Sequence, residues 1–329
     1  MASPSSNTVA LIITPQPIPA SELSTLTTEL VDLLGNLQAG TSLTSRQLSP
    51  TAIELHLTLQ SCPSNLRECK TLTDTTPLKK FQAQHNLSAL IIQPATLHAA
   101  HRTPGLIVFD MDSTLIQQEV IDELARRVGK YDQVSAITEA AMRGEAPYTD
   151  FAASLRARVG LLKGVPRDVW DGLKKDVITF TPGARELVRG LRKAGWKSAV
   201  LSGGFMPLAE WVQAELGLDF ALANFLVEEE GLLTGELVEG KAIVDGAMKA
   251  TVLNELAAKW NVDKERIVAV GDGSNDLLMM EEAGMGVAFN AKAKVQERAP
   301  VRLNAGAGGL KEVFWVLGHS DDEIQELTK

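Results

Sequence analysis

Residues 106–119 read LIVFDMDSTLIQQE, and this stretch predicts an α/β fold. Four apolar residues lead directly into Asp110, and Asp112 follows two positions later. An unbroken apolar run is typical of a strand that is buried on both faces, as strands of parallel sheets are. Two acids so close together repel each other unless something compensates their charge. Asp112 and Ser113 could form no more than a turn that caps a helix, so the rest of the chain has to decide.

The sequence from Gly105 onward alternates between strand and helix patterns, which predicts a parallel sheet. Predicted strands cover 105–111, 196–202, 220–223, 267–271 and 286–289. Residues 227–240 predict a hairpin with Gly231 at its turn and Gly235 in the return strand. No strand pattern is found between 119 and 181, where amphipathic segments predict a helical insertion. Such an insertion would lie over the carboxyl ends of the strands, where open α/β sheets bind ligands.

The first 95 residues predict a smaller α+β fold. Predicted in chain order are a strand at 8–14, a helix from Ser21 to Gly35, strands at 42–49 and 51–60 joined by a turn at Ser49-Pro50, a helical stretch at 64–85 interrupted near Pro77, and a strand at 88–94. Glu54 and His56 lie on the polar face of an alternating strand, which indicates a half-exposed antiparallel strand. The order βαββαβ is that of a ferredoxin-like module. It resembles the small regulatory amino-acid-binding domains called ACT domains.

Composition limits the class of protein. The chain of 329 residues is 45% apolar and 22% charged, which is typical of globular proteins and long enough for two domains. Its formal net charge of −9 argues against nucleic-acid and anionic-membrane partners. Two cysteines, Cys62 and Cys69, are expected to be reduced thiols. The chain shows neither a signal-peptide pattern nor an apolar run of membrane-spanning length, so we expect a cytoplasmic protein.

Three later places in the chain also carry polar residues that could take part in chemistry: two strand ends and the start of one helix. Ser202-Gly203-Gly204 ends one strand, and a hydroxyl with glycines suits phosphate oxygens. Asp272, Asn275 and Asp276 end another strand, and Lys249 lies near the start of an amphipathic helix. Each alone could be a turn, a cap or a surface charge. Together, carboxylates at neighbouring strand ends require a hard cation such as Mg²⁺, and the set contains what phosphoryl transfer needs.

The ordered motifs DMDSTL, LSGGF, a lysine and GDGSND resemble the haloacid dehalogenase superfamily and, within it, the phosphoserine phosphatase family. The resemblance covers about residues 105–317. It implies a Rossmann-like parallel-sheet core with an inserted helical cap. We therefore expect a ferredoxin-like, ACT-like regulatory domain at 1–95, a linker at 96–104 with little periodicity, and a phosphatase domain at 105–318. Within that domain, the core would comprise 105–118 and 182–318 and the cap 119–181.

The resemblance also implies a role for each motif residue. Asp110 would be the nucleophile that forms an aspartyl-phosphate, and Asp112 would protonate the leaving alkoxide and later take a proton from water. The remaining implied roles are Mg²⁺ binding by Asp110, the backbone carbonyl of Asp112 and Asp272, with Asp276 as an outer ligand; orientation of the site by Asn275; binding of phosphoryl oxygens by Ser202 and Gly203; and charge balance by Lys249. The two acids after the first strand would thus divide nucleophilic and proton-transfer work.

Substrate selection would come from the cap. Glu119 stands nine residues after Asp110 and suits an ammonium group, while Arg158 can bind a carboxylate with two hydrogen bonds. Met142 and Phe151 match apolar positions that would close over the substrate. The segment between them is about three residues longer than the family pattern, which leaves Met142 uncertain and makes Tyr148 an alternative to Phe151.

The implied activity is Mg²⁺-dependent hydrolysis of O-phospho-L-serine to L-serine and phosphate, the last step of serine biosynthesis. Two alternatives stay open: a phosphatase of the same fold for another small phosphomonoester, and a metabolite-sensing protein with a vestigial phosphatase core. An intact set of Asp110, Asp112, Lys249 and Asp272 argues against the second. The sequence does not fix the oligomeric state, and a homodimer is one open alternative.

Overall fold

The computed structural model describes residues 7–37, 43–59 and 62–329. It contains a four-stranded antiparallel sheet near the N-terminus, a six-stranded parallel sheet with helices on both faces, and a two-stranded hairpin. The predicted fold class is confirmed. Among the described residues, no helix is both long and apolar enough to cross a membrane.

The N-terminal sheet has the predicted order of elements. These are β1 (Thr8–Ile13), α1 (Ala20–Leu37), β2 (Leu43–Ser49), β3 (Ala52–Leu57), α2 (Leu66–Thr73), α3 (Thr76–Gln84) and β4 (Ala89–Pro94). The strands lie in the order β2-β3-β1-β4 and all neighbours are antiparallel. Pro77 lies in the first turn of α3, where its missing N–H costs no helical hydrogen bond. Residue 42, predicted to begin the second strand, and residue 60, predicted to end the third, lie outside the described residues.

Helix α1 differs from its predicted limits at both ends. It begins at Ala20 rather than after a cap at Ser21, and it continues through Gly35 to Leu37. A glycine in a helix interior costs only about 1 kcal/mol relative to alanine. Leu26, Leu30 and Leu34 of α1 are buried in one apolar cluster with side chains of the N-terminal sheet, and the free energy gained by this burial outweighs that cost.

The segment predicted as a linker contains a short helix, α4 (Ala95–His101). His98 and His101 of α4 are buried, and the ring of His98 lies 2.9 Å from a carboxylate oxygen of Glu54. The face of β3 expected to meet solvent therefore meets α4, and Glu54 is only 2% exposed. Because the partner of this face comes from a segment without clear periodicity, the alternation in β3 alone could not predict its burial.

The remaining chain forms the parallel sheet, its helices and the insertion. In chain order its elements are β5 (Leu106–Phe109), α5 (Val120–Arg127), α6 (Tyr131–Arg143), α7 (Phe151–Gly160), α8 (Val169–Asp176), α9 (Ala184–Lys193), β6 (Lys197–Phe205), α10 (Met206–Leu216), β7 (Phe220–Asn224), β8 (Leu226–Glu229), β9 (Leu232–Leu237), α11 (Gly246–Trp260), β10 (Ile267–Gly271), α12 (Leu277–Glu282), β11 (Met285–Phe289), α13 (Ala293–Arg298), β12 (Val301–Leu303), α14 (Val313–Val316) and α15 (Asp321–Thr328).

The parallel sheet has the strand order β12-β11-β10-β5-β6-β7. Strand β5 lies in the middle, between β10 and β6, so the residues after all three strands meet at one edge. The three-residue β12 was not predicted, because a run this short carries no readable pattern.

Helices α5 to α8 form the predicted cap. They follow β5 and return to the core near residue 180, where Ile116 and Phe180 pair as an isolated antiparallel bridge. The hairpin β8–β9 also binds the cap through its backbone. Gly164 N donates to Leu233 O at 2.8 Å, and Arg167 N donates to Gly231 O at 2.8 Å. The predicted turn of the hairpin at Gly231 is present, with φ of +78°.

The N-terminal sheet and the parallel-sheet core share buried apolar surface. Leu11, Ile13 and Ile91 belong to the same continuous cluster of buried side chains as Phe314 and Trp315 of the core. A backbone hydrogen bond of 3.1 Å from Asn304 N to Ser88 O joins the two parts next to β12 and β4. One face of the N-terminal sheet is therefore packed as a protein interior.

Candidate active site

The loop after β5 holds the two aspartates that open the motif. Asp110 directly follows the strand and is 5% exposed. Residues Met111–Leu115 form one helical turn, interrupted at Ser113, whose φ of +56° is unusual for a residue with a side chain. The side chain of Asp112 accepts a hydrogen bond of 3.1 Å from the backbone N–H of Val120. This turn therefore fixes Asp112 against the start of the cap.

Lys249 joins two of the acidic motifs. It lies in the first turns of α11, which Asp245 caps by accepting a hydrogen bond from Met248 N. Its ammonium group is fully buried and donates to Asp110 Oδ1 at 2.5 Å and to Asp276 Oδ1 at 2.7 Å. Burial alone would lower the pKa of Lys249, but the two carboxylates outweigh burial and raise it. The lysine is therefore a buried counter-charge.

Three carboxylates could hold a metal ion. Asp110, Asp272 and Asp276 each offer an oxygen, and these oxygens all lie within 4.8 Å of one another. Burial, followed by the charge of Asp276, raises the pKa of Asp110, and the same two causes in the same order raise the pKa of Asp272 to about 7. Lys249 compensates only part of this negative charge. A hard divalent cation with oxygen ligands fits the remaining charge and the donor atoms.

The position of Asp276 depends on a glycine in the preceding strand. The second oxygen of Asp276 accepts a hydrogen bond of 2.9 Å from Gly273 N. A Cβ atom on Gly271 would lie 2.4 Å from that same oxygen, well inside contact distance. Only glycine at 271 allows the carboxylate to fold back under its own loop.

The Ser202 loop lies beside this cluster. Ser202 is fully buried, and its Oγ accepts a hydrogen bond of 2.9 Å from Gly204 N. A Cβ atom on Gly203 would lie 3.7 Å from Asn275 Nδ2, and one on Gly204 would lie 3.4 Å from Asp112 Oδ2. Four sequence motifs that are far apart along the chain thus converge around one point.

The cap brings one acidic and one basic side chain, Glu119 and Arg158, to the same region. Glu119 is exposed, and its Oε1 accepts a hydrogen bond of 2.7 Å from the Ser113 hydroxyl. Arg158 is half-buried and donates from Nη1 to Thr138 Oγ1 at 3.5 Å. Burial lowers the pKa of Arg158, while the charges of Glu119, Asp122 and Asp112 oppose that shift. Arg156, in contrast, is exposed.

The two apolar cap residues lie in different surroundings. Phe151 packs against the Ser202 loop, since a Cβ atom on Gly203 would lie 3.0 Å from its Cζ. Met142 is 52% exposed, and its sulfur lies 3.5 Å from Lys292 Nζ of the core. Tyr148 is partly buried. The role of Met142 over a substrate stays a prediction, as does the alternative role of Tyr148.

Asp112 is placed to hold a proton. Burial, then the charges of Glu119 and Asp110, raise its pKa well above the usual range of an aspartate. Its Oδ1 is buried and has no hydrogen-bond partner within the described part of the chain. A protonated carboxyl group there could donate to a bound ligand.

Sequence reasoning missed two polar residues of this site. Thr114 donates from Oγ1 to Asp272 Oδ1 at 3.4 Å, and Asp122 lies close enough to Arg158 to influence its pKa. Asp122 follows Glu119 by three residues at the start of a helix, so the helical repeat was the available signal.

Comparison with known proteins gives a consistent result. The model of the haloacid dehalogenase-like hydrolase family matches residues 107–281. The phosphoserine phosphatase of Idiomarina loihiensis is 49% identical over 217 residues, which cover 66% of this chain and 95% of that protein.

Solved structures agree. A haloacid dehalogenase family hydrolase from Salmonella enterica serovar Typhi is 29% identical, with a TM-score of 0.73 over 94% of this chain and 98% of that one. A substrate-bound phosphoserine phosphatase is 38% identical, with a TM-score of 0.59 over 65% of this chain and 98% of that one. The residues matched by the family model include Asp110, Lys249 and Asp276. The chain belongs to the haloacid dehalogenase-like hydrolase family.

Proposed function

We propose that this enzyme hydrolyses O-phospho-L-serine to L-serine and phosphate with the help of Mg²⁺. The observation that carries the proposal is the buried contact of Lys249 with Asp110 and Asp276, beside Asp272 and the Ser202 loop. This arrangement offers a nucleophile, a metal site and a cradle for phosphoryl oxygens at one point. The relatives named phosphoserine phosphatase support the choice of substrate.

In the proposed reaction the Asp110 carboxylate attacks phosphorus, and the bond from phosphorus to the serine oxygen breaks. Asp112 gives its proton to the departing alkoxide, which leaves L-serine and an aspartyl-phosphate on Asp110. Asp112, now ionised, takes a proton from a water molecule as the water oxygen attacks phosphorus. The bond from phosphorus to the Asp110 oxygen breaks, so that phosphate leaves and Asp110 is again a carboxylate. The raised pKa of Asp112 supports its role as the acid, because the group keeps its proton until the leaving oxygen needs it.

The metal would be held by Asp110 and Asp272, together with the backbone carbonyl of Asp112, with Asp276 as an outer ligand. When bound, Mg²⁺ would neutralise charge on the phosphoryl oxygens and so let one anion approach another. Lys249 would hold the Asp110 carboxylate in position and balance the charge of the aspartyl-phosphate. Ser202 and Gly203 would bind the phosphoryl oxygens.

The cap would select the amino acid. Glu119 would bind the substrate ammonium group and Arg158 its carboxylate, while Phe151 and Met142 would cover the serine methylene. Asn275, next to Gly203, would orient the phosphoryl group. Glu119 lies close enough to Asp112 and to Arg158 for its charge to raise the pKa of the first and to oppose the lowering of the pKa of the second by burial.

Phosphate release from O-phospho-L-serine tests the proposal directly. We expect turnover with Mg²⁺, none after chelation with EDTA, and recovery when Mg²⁺ is restored. p-Nitrophenyl phosphate serves as a phosphomonoester without amino-acid groups. Faster hydrolysis of that compound than of phosphoserine, at equal concentrations below KM, would contradict the proposed substrate while leaving the phosphatase chemistry intact.

The remaining sequence predictions extend the proposal. We propose that residues 1–95 form a regulatory domain and 105–318 the phosphatase domain, with core and cap divided at 119 and 181. A cytoplasmic location and a homodimeric state also remain proposals, and sedimentation of the purified chain would decide the second.

A further inference from the structure

The hydroxyl group of Ser154 is buried in the cap without a hydrogen-bond partner among the residues that the structure describes. Ser154 is only 2% exposed. Buried side-chain hydroxyls are nearly always paired, because an unpaired one loses its hydrogen bonds to water and gains none in return. The free hydroxyl of Ser154 therefore indicates a partner that the described part of the chain does not supply.

Ser154 lies in the middle of a stripe of α7 that faces the candidate active site. It follows Phe151 by three residues and precedes Arg158 by four, and these spacings place all three side chains on one side of a helix. The first member of the stripe packs against the Ser202 loop, as the contact of Phe151 with Gly203 shows. The last member lies near the charges of Glu119 and Asp112.

The side chain of Arg158 returns along its helix toward Ser154. Its Nε donates a hydrogen bond of 3.3 Å to the backbone carbonyl of Ser154. The guanidinium group therefore lies next to the turn that carries the Ser154 hydroxyl. A carboxylate bound by Arg158 would lie beside this turn of α7, and a carboxylate oxygen is an acceptor that a hydroxyl can satisfy.

We propose that Ser154 is a substrate-binding residue, which donates its hydroxyl hydrogen to the carboxylate of the amino-acid substrate next to Arg158. This inference rests on the proposed function, since it names a further contact for the same substrate. It makes Ser154 a determinant of specificity for phosphorylated amino acids over phosphorylated amines. The hydroxyl stays unpaired without substrate and becomes paired when substrate binds.

The test compares two substrates that differ only in the carboxylate. O-Phosphoethanolamine has the phosphate and ammonium groups of phosphoserine but no carboxylate. For Ser154→Ala we expect kcat/KM for phosphoserine to fall about ten-fold, mainly through KM, and kcat/KM for phosphoethanolamine to stay within two-fold of the wild-type value. Ser154→Thr keeps the hydroxyl and should recover part of the loss, while Arg156→Ala, at an exposed position of the same helix, should change neither substrate.

A second measurement separates binding from stability. In an Asp110→Asn background, which cannot turn over, calorimetric titration should show the same ten-fold loss of phosphoserine affinity on adding Ser154→Ala. The thermal unfolding temperature of Ser154→Ala without substrate should equal or exceed that of the wild type, because the unpaired hydroxyl is removed. Equal affinity and equal kcat/KM for Ser154→Ala and wild type would overturn the assignment of Ser154 alone. If the wild type neither binds nor hydrolyses phosphoserine, the proposed function fails and this inference fails with it.

Discussion

Lys249 Nζ lies 2.5 Å from Asp110 Oδ1, although 139 residues separate the two along the chain. Both side chains are buried, so neither charge is screened by water. This contact depends on the parallel sheet, which places the residue after β5 beside the first turns of α11. It also ties the proposed chemistry to the stability of the fold, and each can be measured separately.

Replacing the nucleophile tests the chemistry. Asp110→Asn keeps the shape of the side chain but removes the attacking charge, so we expect activity to fall more than about 10³-fold. Rapid acid quenching and mass spectrometry should find a phosphate adduct on Asp110 in the wild type and none in the variant. Asp112→Asn should slow both halves of the reaction without unfolding the protein. An adduct on any residue other than Asp110 would disprove the assignment.

Replacing the lysine tests the electrostatics. Lys249→Met leaves Asp110 and Asp276 buried without their cation, which costs about 3–5 kcal/mol at high pH. The pKa of Asp110, already raised by burial, rises further, so the folded state binds a proton that the unfolded state releases above about pH 4. The loss of stability should therefore be larger at pH 8 than at pH 5 in chemical denaturation with EDTA. Lys259→Met, at an exposed lysine of the same helix, should show no such dependence.

Removing the guanidinium group tests substrate recognition. For Arg158→Ala we expect kcat/KM for phosphoserine to fall ten- to a hundred-fold, because a charge-assisted hydrogen bond contributes about 1.5–3 kcal/mol to binding. p-Nitrophenyl phosphate lacks the carboxylate and should be hydrolysed at nearly the wild-type rate. Arg156→Ala is the matched control. Equal losses on both substrates would mean that Arg158 serves the phosphoryl group or the fold.

Two buried histidines should make the protein sensitive to acid. Burial lowers the pKa of His101 to about 3 and, with the charge of Arg102 as a second cause, lowers that of His319 to about 4. Unfolded histidine binds a proton below about pH 6.5, so each residue reduces stability as pH falls from that value to its folded pKa.

Between pH 6 and pH 4 the free energy of unfolding of the wild type should fall with pH because of His101. We expect His101→Leu to remove about 1.4 kcal/mol per pH unit of that fall, measured as the difference in free energy of unfolding between the variant and the wild type. His85→Gln is the control, since His85 follows α3 and pairs with Glu29 of α1, away from α4. A constant difference between His101→Leu and wild type over this range would contradict the prediction.

Much of the fold and the site was predictable because its signals are local. Apolar runs gave five of the strands, and the residues after them, such as Asp110 and Ser202, had to meet at one edge of a parallel sheet. What the sequence could not show were contacts between distant segments. The burial of Glu54 depends on α4, and the surroundings of Met142 depend on Lys292 of the core. Neither segment has a sequence pattern that predicts which distant segment it contacts.

Removing the N-terminal part tests the shared apolar surface. A variant lacking residues 1–101 would expose core side chains such as Phe314 and Trp315, which now belong to one buried cluster with the N-terminal sheet. It would also lose the ion pair of Arg46 with Glu323. We expect a lower unfolding temperature and binding of a dye specific for exposed apolar surface. A truncated protein as stable as the full chain would show that the core does not need this cover.

The hairpin that binds the cap limits how a substrate can enter. Hydrogen bonds from Gly164 and Arg167 fasten one end of the cap to β9 and to the turn before it, and residues near Ile116 and Phe180 fasten it to the core. The opposite end, around Met142, is exposed and touches the core only through Lys292 among the contacts described above. We therefore expect any opening of the cap to be a rotation about the fastened end. In such a rotation the exposed end around Met142 would move furthest from the core.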